Sequence, residues 1–360
     1  MSNKISLALA MAGAISLHAQ ALNHKIDFPK DSPVSVISED FGNSNATARG
    51  ANVIDVNAAL SLRNSGQKRI RSMTLMVSTP DAAGKGSVSV PTLDAGPGET
   101  FSIHIGTRLV RPLTAGNPSV EVTLDGVLFD DLSFYGPDTL HSQRSMIRWE
   151  LEAQRDRKYF KTLLATSGPE GLRKEMLSSL ARQGDSSQRG VQMVRGRATN
   201  IEAEPESQFA FLDIPESPVE ASNGRARIGA GMAGAPQFEV RNRSNRPVRH
   251  LEVAWIVKDR QGREFLAASM PADMTLVPNQ SGQVAQDAAL RFDRPISIQS
   301  MSGFVSSVEF ADGSQWIPSR GALDQTRLRQ LINPSPEEQR LSQIYSKKGI
   351  QALIDELKKF

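Results

Sequence analysis

The 360-residue sequence contains no cysteine. That absence removes disulfides, thiolate zinc sites, cysteine nucleophiles and lipid-modified cysteine in one step. A fold without such staples draws its stability from core burial, which two domains of roughly 100 residues can supply. Histidine is scarce. His24, His104, His141 and His250 are the four beyond the N-terminal stretch, and none stands at metal-ligand spacing from another histidine or a carboxylate cluster. His104 and His250 fall at outward positions of expected strands, which predicts two solvated side chains. A charge excess is missing too. Lysine and arginine number 42 against 39 acids, a net +3 that implies neither a nucleic-acid surface nor a polyanionic tail. The sequence holds no Gly-x-Ser-x-Gly elbow, phosphate loop, dinucleotide fingerprint or zinc-helix motif. The expectation is therefore no cofactor, no metal, and no assignable catalytic or cofactor-binding residue.

What is present begins at the N-terminus. Lys4 precedes an uncharged apolar run from Ile5 to Leu17, and Ala19-Gln20-Ala21 offers small residues at the −3 and −1 positions of a cleavage site. The run is too short to span a hydrocarbon core of ~30 Å as a stable helix. This predicts a signal peptide over 1–21 and a mature chain that is periplasmic or extracellular. No later segment approaches membrane-span length, so no stable membrane insertion is expected after cleavage.

The strongest pattern is self-similarity. Leu60-Ser61-Leu62-Arg63-Asn64-Ser65 reappears as Phe238-Glu239-Val240-Arg241-Asn242-Arg243, an offset of 178. Met73, Leu75 and Val77 match Leu251, Val253 and Trp255 at the same offset. Further on, Phe129, Asp131, Ser133, Tyr135 and Pro137 match Phe310, Asp312, Ser314, Trp316 and Pro318 at an offset of 181, as one small loop insertion would produce. Apolar residues alternate at period two in Phe101-Ser102-Ile103-His104-Ile105 and along Leu251 to Trp255, and turn-forming clusters separate such runs. In both halves the parity then slips by one: Val120, Val122 and Leu124 give way to Val127 and Phe129, and Val305 gives way to Val308 and Phe310. A β-bulge near Asp125-Gly126 and another near Ser306-Ser307 would return both sets to the core.

Helical spacing follows each strand-rich stretch. Leu140, Ile147, Leu151, Tyr159 and Leu163 lie on one stripe, broken at Ser167-Gly168-Pro169-Glu170. Ser335-Pro336-Glu337-Glu338 reads as a capping box with proline at the first helical position, and Lys347-Lys348-Gly349 as a stop. Ile350, Leu353, Ile354 and Leu357 form a last amphipathic helix. Between the halves, 183–215 lacks apolar periodicity and reads as a linker. Its exception is Phe209-Ala210-Phe211-Leu212, which either docks on a sandwich or begins one.

Several side chains invite chemistry and are better explained otherwise. Asp130-Asp131 and Asp312 could pair as acids or hold calcium, but Asp312-Gly313-Ser314 has turn composition. Asp259-Arg260-Gln261-Gly262 reads as a hairpin tip and lacks the rest of a calcium loop. Trp255 sits on the inward parity of its strand, and Trp316 and Tyr135 occupy equivalent places before a proline, so core roles outweigh a sugar platform. Arg189, Arg195 and Arg197 lack the aromatic interleaving of a nucleic-acid surface.

These stretches resemble the tandem immunoglobulin-like or fibronectin-type β-sandwich modules of bacterial exported proteins. The fold class expected is mainly β with helical appendages: two duplicated Ig-like sandwiches at 32–138 and 216–320, followed by helical segments at 139–182 and 321–360. Such modules mostly bind or space other molecules. The function expected is that of a non-catalytic binding or scaffold protein, with a protein or envelope polymer as partner. The alternatives are an accessory protein for envelope polysaccharide and, behind it, an enzyme with a cleft between modules.

Overall fold

The computed structural model describes residues 22–48, 51–80, 84–113, 119–185, 191–195, 205–229, 232–292 and 297–360. The expected signal peptide at 1–21 lies outside them. The chain is mainly β with a helical C-terminal region, and it divides into two compact units between Gln143 and Arg144.

The first unit contains β1 (Asn23–Asp27), β2 (Val34–Asp40), β3 (Asn45–Ala48), β4 (Asn52–Asn64), β5 (Ile70–Ser78), β6 (Gly86–Val90), β7 (Thr100–Arg111), β8 (Ser119–Phe129) and β9 (Phe134–Tyr135). One sheet is built on β4, which pairs antiparallel with β2, β3 and β7. The other sets β5 between β6 and β8, with β1 parallel and β9 antiparallel on β8. Period-two burial along β4 and β7 sends Ile54, Leu60, Leu62, Ile103 and Ile105 inward. They share one core with Met73, Leu75, Val77, Val122 and Val127 of the facing sheet. His104, between two of those inward residues, is exposed.

In the second unit, helix α1 (Gln143–Asp185) precedes β10 (Val191–Arg195), β11 (Glu206–Phe211), β12 (Val219–Gly229), β13 (Met232–Asn242), β14 (Val248–Asp259), β15 (Glu264–Leu276), β16 (Ser281–Ala285), β17 (Ala288–Phe292), β18 (Ile298–Phe310) and β19 (Gln315–Trp316). Helices α2 (Arg320–Gln325), α3 (Leu328–Leu331) and α4 (Pro336–Leu357) close the chain. Strand β13 pairs with β12, β16 and β17, while β14 lies between β15 and β18. Strand β11 joins the two groups: Glu206 to Phe209 pair antiparallel with β12, and Ala210 and Phe211 run parallel to β18. The segment read as a linker thus contains two strands. Its Phe209-Ala210-Phe211 forms part of the sandwich, where Phe209 and Phe211 pack around Trp255 and Phe238.

Both anticipated bulges are present. The pairing of β5 with β8 steps from Thr74–Gly126 to Leu75–Leu124, leaving Asp125 out of register. That of β14 with β18 steps from Glu252–Ser307 to Val253–Val305, leaving Ser306 out. Each restores the later apolar residues to the core, which is the physical reason for the parity slip.

Strict alternation fails along β14 because both of its faces are covered. Leu251, Val253, Trp255 and Val257 belong to the sandwich core. Ala254 and Ile256 point the other way, into a second core with Phe304, Ala322, Leu323 and Leu328. His250 corrects the expectation of a solvated side chain: it is 1% exposed, and its Nδ1 lies 2.7 Å from Asp273 Oδ1.

The helices break where glycine and proline predicted. Gly168 (φ 66°) precedes Pro169 in α1, and Gly349 (φ 82°) interrupts α4, conformations that suit glycine. Residues from both sides of each break, Phe160, Leu172, Met176, Leu341, Leu353 and Leu357, meet in one small core. Ser335 caps α4 by accepting from Glu338 N at 3.1 Å. The buried face of α1 overlaps the stripe that apolar spacing selects only at Ile147. Met146, Glu150, Ala153, Asp156, Arg157 and Phe160 are buried, whereas Leu151, Tyr159 and Leu163 are only partly covered. Helix packing here uses charge. Arg320, 7% exposed, meets Glu338 at 2.8 Å, Glu175 at 3.1 Å and Asp156 at 3.4 Å, and Arg157 meets Glu150 at 2.5 Å.

Candidate functional site

The same architecture that buries those charges leaves one hollow in the second unit. Residues 148–155 of α1 pass over the outward face of β14, β15 and β18, and the connections around α2 and α3 close the far side. The cleft has a volume of about 250 Å³. Ala254, Leu266, Phe304, Leu323 and Ile332 give it an apolar floor. Arg148, Trp149, Glu152, Arg155, Ser269, Ser306, Asn333 and Ser335 supply its polar and aromatic lining. A mostly apolar hollow with a few converging polar groups is the usual make-up of a small-molecule site.

Helical geometry explains which groups converge. Arg148, Glu152 and Arg155 lie four and three residues apart, on one face of α1. The Ser306 bulge adds a hydroxyl from the sheet, held by a 3.2 Å bond to the Glu252 carbonyl. Both arginines are already engaged. Arg148 donates through Nη1 to Glu252, and Arg155 donates to Asp156 at 3.0 Å and to the Pro318 carbonyl at 3.2 Å. Glu152 is different. Its carboxyl makes no hydrogen bond or ion pair with any described residue, and burial pushes its pKa up, with Arg155 and Arg148 opposing that rise.

The residues singled out from sequence lie elsewhere. Trp255 is fully buried among aromatic rings, so it presents no platform. Trp316 and Tyr135 are half-buried against their cores. Asp131 and Asp312 are exposed turn acids, each accepting from the backbone N–H two residues on at 3.0 Å. Those bonds, together with Ser314 Oγ and Arg246, hold the Asp312 carboxyl down at about 2. Asp259 accepts from Gln261 N at 3.0 Å and Arg263 N at 2.9 Å, as a hairpin tip should. His24 stacks on Phe41, and His141 is exposed. Arg189 and Arg197 lie outside the described residues. Among the described residues no group of three or more His, Asp or Glu is placed to hold a metal ion, and no helix is long and apolar enough to cross a membrane.

No protein-family model matches the chain, and no curated protein does. Among solved structures, a DUF1425 family member from Shewanella sp. pv-4 aligns over 32% of this chain and 94% of its own, at 14% identity and a TM-score of 0.18. DesR, a β-glucosidase from Streptomyces venezuelae in complex with D-glucose, aligns over 77% of this chain and 48% of its own, at 11% identity and a TM-score of 0.16. Red sea bream transglutaminase aligns over 76% of this chain and 31% of its own, at 7% identity and a TM-score of 0.13. Similarity at this level carries no argument about this chain's fold or activity.

Proposed function

We propose that this chain is an exported, non-catalytic binding protein whose second unit takes a small ligand in the cleft beneath α1. Glu152 carries the proposal. A partly buried ionisable side chain without a hydrogen-bond partner is destabilising, and a site made for a ligand is a setting in which that cost is offset. Serine hydroxyls, Asn333 and the spare donors of Arg148 provide hydrogen bonding for recognition, and Trp149 provides a flat apolar surface. A cleft lined by both Trp149 and Asn333 also favours the second reading, an accessory protein for envelope saccharides.

Export rests on Lys4, the Ile5–Leu17 run and Ala19-Gln20-Ala21. Duplication of an Ig-like sandwich is supported by bonds recurring in both units. Ser32 and Ser217 each bond the backbone N–H and carbonyl two residues on, at Val34 and Val219. The bulges at Asp125 and Ser306 and the turns at Asp131 and Asp312 recur as well.

Thermal-shift screening of the mature protein against saccharides, amino acids and amines tests the cleft. Ser269, exposed on β15 at its edge, gives a filling variant, S269W. Compounds that stabilise the native protein and not S269W support the proposal. Compounds that stabilise both equally, or a screen without any shift, refute it. N-terminal sequencing after expression in a Gram-negative host tests export, with Leu22 the expected first residue and an uncleaved Met1 the contrary result.

A further inference from the structure

Building on the cleft as a ligand site, we infer that its ligand is a small primary ammonium compound. The ammonium would sit against the Glu152 carboxylate and the carbon skeleton against Trp149. The charges around the cleft decide the sign of the ligand. Arg148 is matched by Glu252 and Arg155 by Asp156, which it shares with Arg320, itself held also by Glu175 and Glu338. Glu152 is the third carboxylate of the group and has no cation of its own among the described residues. A neutral guest would leave that charge uncompensated, and an anionic guest would add repulsion. An ammonium group brings one positive charge and three donors, enough to serve Glu152 and still reach a serine hydroxyl such as Ser269 or Ser306.

Size and shape narrow the class further. A cavity of 150 Å³ is known to hold benzene, so the 250 Å³ here admits roughly ten to twelve non-hydrogen atoms. That fits a hexosamine or an arylalkylamine and excludes a polymer chain passing fully through. The indole of Trp149 lines the same cleft, where a cation and its adjacent methylenes both find a favourable surface.

The test uses three pairs of probes that differ only in the charged group: ethanolamine and ethylene glycol, glucosamine and glucose, tyramine and tyrosol. Each is titrated calorimetrically at neutral pH into the mature protein, E152Q and S269W. The expected result is binding of at least one amine, about tenfold or more weaker for its neutral partner and for E152Q, and lost in S269W. Binding of neutral members as tightly as amines, lost in S269W, would overturn the ammonium assignment while sparing the cleft. Amine binding unchanged in E152Q would also overturn it. Binding of no probe would overturn it as well. Binding that persists in S269W would overturn cleft and assignment together.

Discussion

Glu152 and Asp156 stand one helical turn apart on α1 and have opposite surroundings. Asp156 is fully buried and accepts from Ser335 Oγ at 2.6 Å, Arg155 Nε at 3.0 Å and Arg320 Nη1 at 3.4 Å. Glu152 lines the cleft without a partner. One carboxylate is fixed within the fold and the other is left for something else. The difference lies in the bonds each one receives: Ser335 and Arg320 reach Asp156, and neither bonds Glu152.

The unpaired carboxyl makes the ligand-free protein sensitive to pH. Burial raises the Glu152 pKa above the unfolded value, so its proton binds more tightly in the folded state. Its contribution is fully present below the unfolded value and is lost as pH rises through the folded one. E152Q should therefore raise Tm at pH 7, by about 2–4 °C for each kcal/mol of charge burial relieved, and the gain should vanish near pH 4. Differential scanning calorimetry at the two pH values measures it. An unchanged or lower Tm at pH 7 would contradict the account.

Arg320 is the hub of the buried charges. Its guanidinium reaches Asp156, Glu175 and Glu338 and lies over the Tyr159 ring at 4.5 Å. R320M would leave three acids with fewer partners, and breaking such a buried pair costs about 3–5 kcal/mol. Urea unfolding followed by helical circular dichroism should show a loss of that order. A loss below about 1 kcal/mol would mean that the ion pairs contribute little.

The same network predicts weakening in acid. Burial pushes the Glu338 carboxyl up, but Arg320 and Arg182 beside it prevail and hold it below its ordinary value. A lowered carboxyl contributes stability that is present above the unfolded value and lost as pH falls through the folded one. Urea unfolding followed by circular dichroism should show the native protein more stable than E338Q at pH 7, with the difference shrinking as the pH falls toward 2. Identical acid profiles would count against it.

Asn64 and Asn242 make matching bonds in the two units. Asn64 Nδ2 donates to the Lys68 and Ala95 carbonyls at 2.9 and 2.8 Å, and Oδ1 accepts from Gly66 N at 3.0 Å. Asn242 Nδ2 donates to Arg246 and Leu276 at 2.8 and 3.0 Å, and Oδ1 accepts from Ser244 N at 2.9 Å. N64A and N242A should each cost about 2–4 kcal/mol, since each leaves carbonyls without their donor. Equilibrium unfolding of the full chain checks both. A near-neutral effect at one position only would argue against equivalent roles.

Much of the sandwich was legible because one buried face per strand imposes a period of two, and a single inserted residue shifts that period visibly. The bulges at Asp125 and Ser306 were readable on that ground alone. So were the breaks at Gly168 and Gly349 and the cap at Ser335, which depend on local backbone chemistry. Beyond Ile147 the buried face of α1 was not, because Asp156 and Arg157 count as solvent-facing until Arg320, Ser335 and Glu337 are placed against them, and Glu150 until Arg157 is. His250 was misplaced for a related reason: Asp273 on the neighbouring strand supplies the bond that lets it be buried. Phe209 and Phe211 lay in a polar segment too short to show alternation. The cleft drew on four separated stretches, around 148–155, 254–269, 304–306 and 317–335, and no local spacing connects them.

The titration of the Glu152 carboxyl, followed by carbon-13 NMR in the full mature chain and assigned with E152Q, tests the central claim most directly. The account predicts a midpoint above that of an ordinary glutamate in the free protein, falling when a bound ammonium compound compensates the charge. A midpoint at or below the ordinary value in the free protein would mean that Glu152 already has a partner, and the case for the cleft as a ligand site would fail.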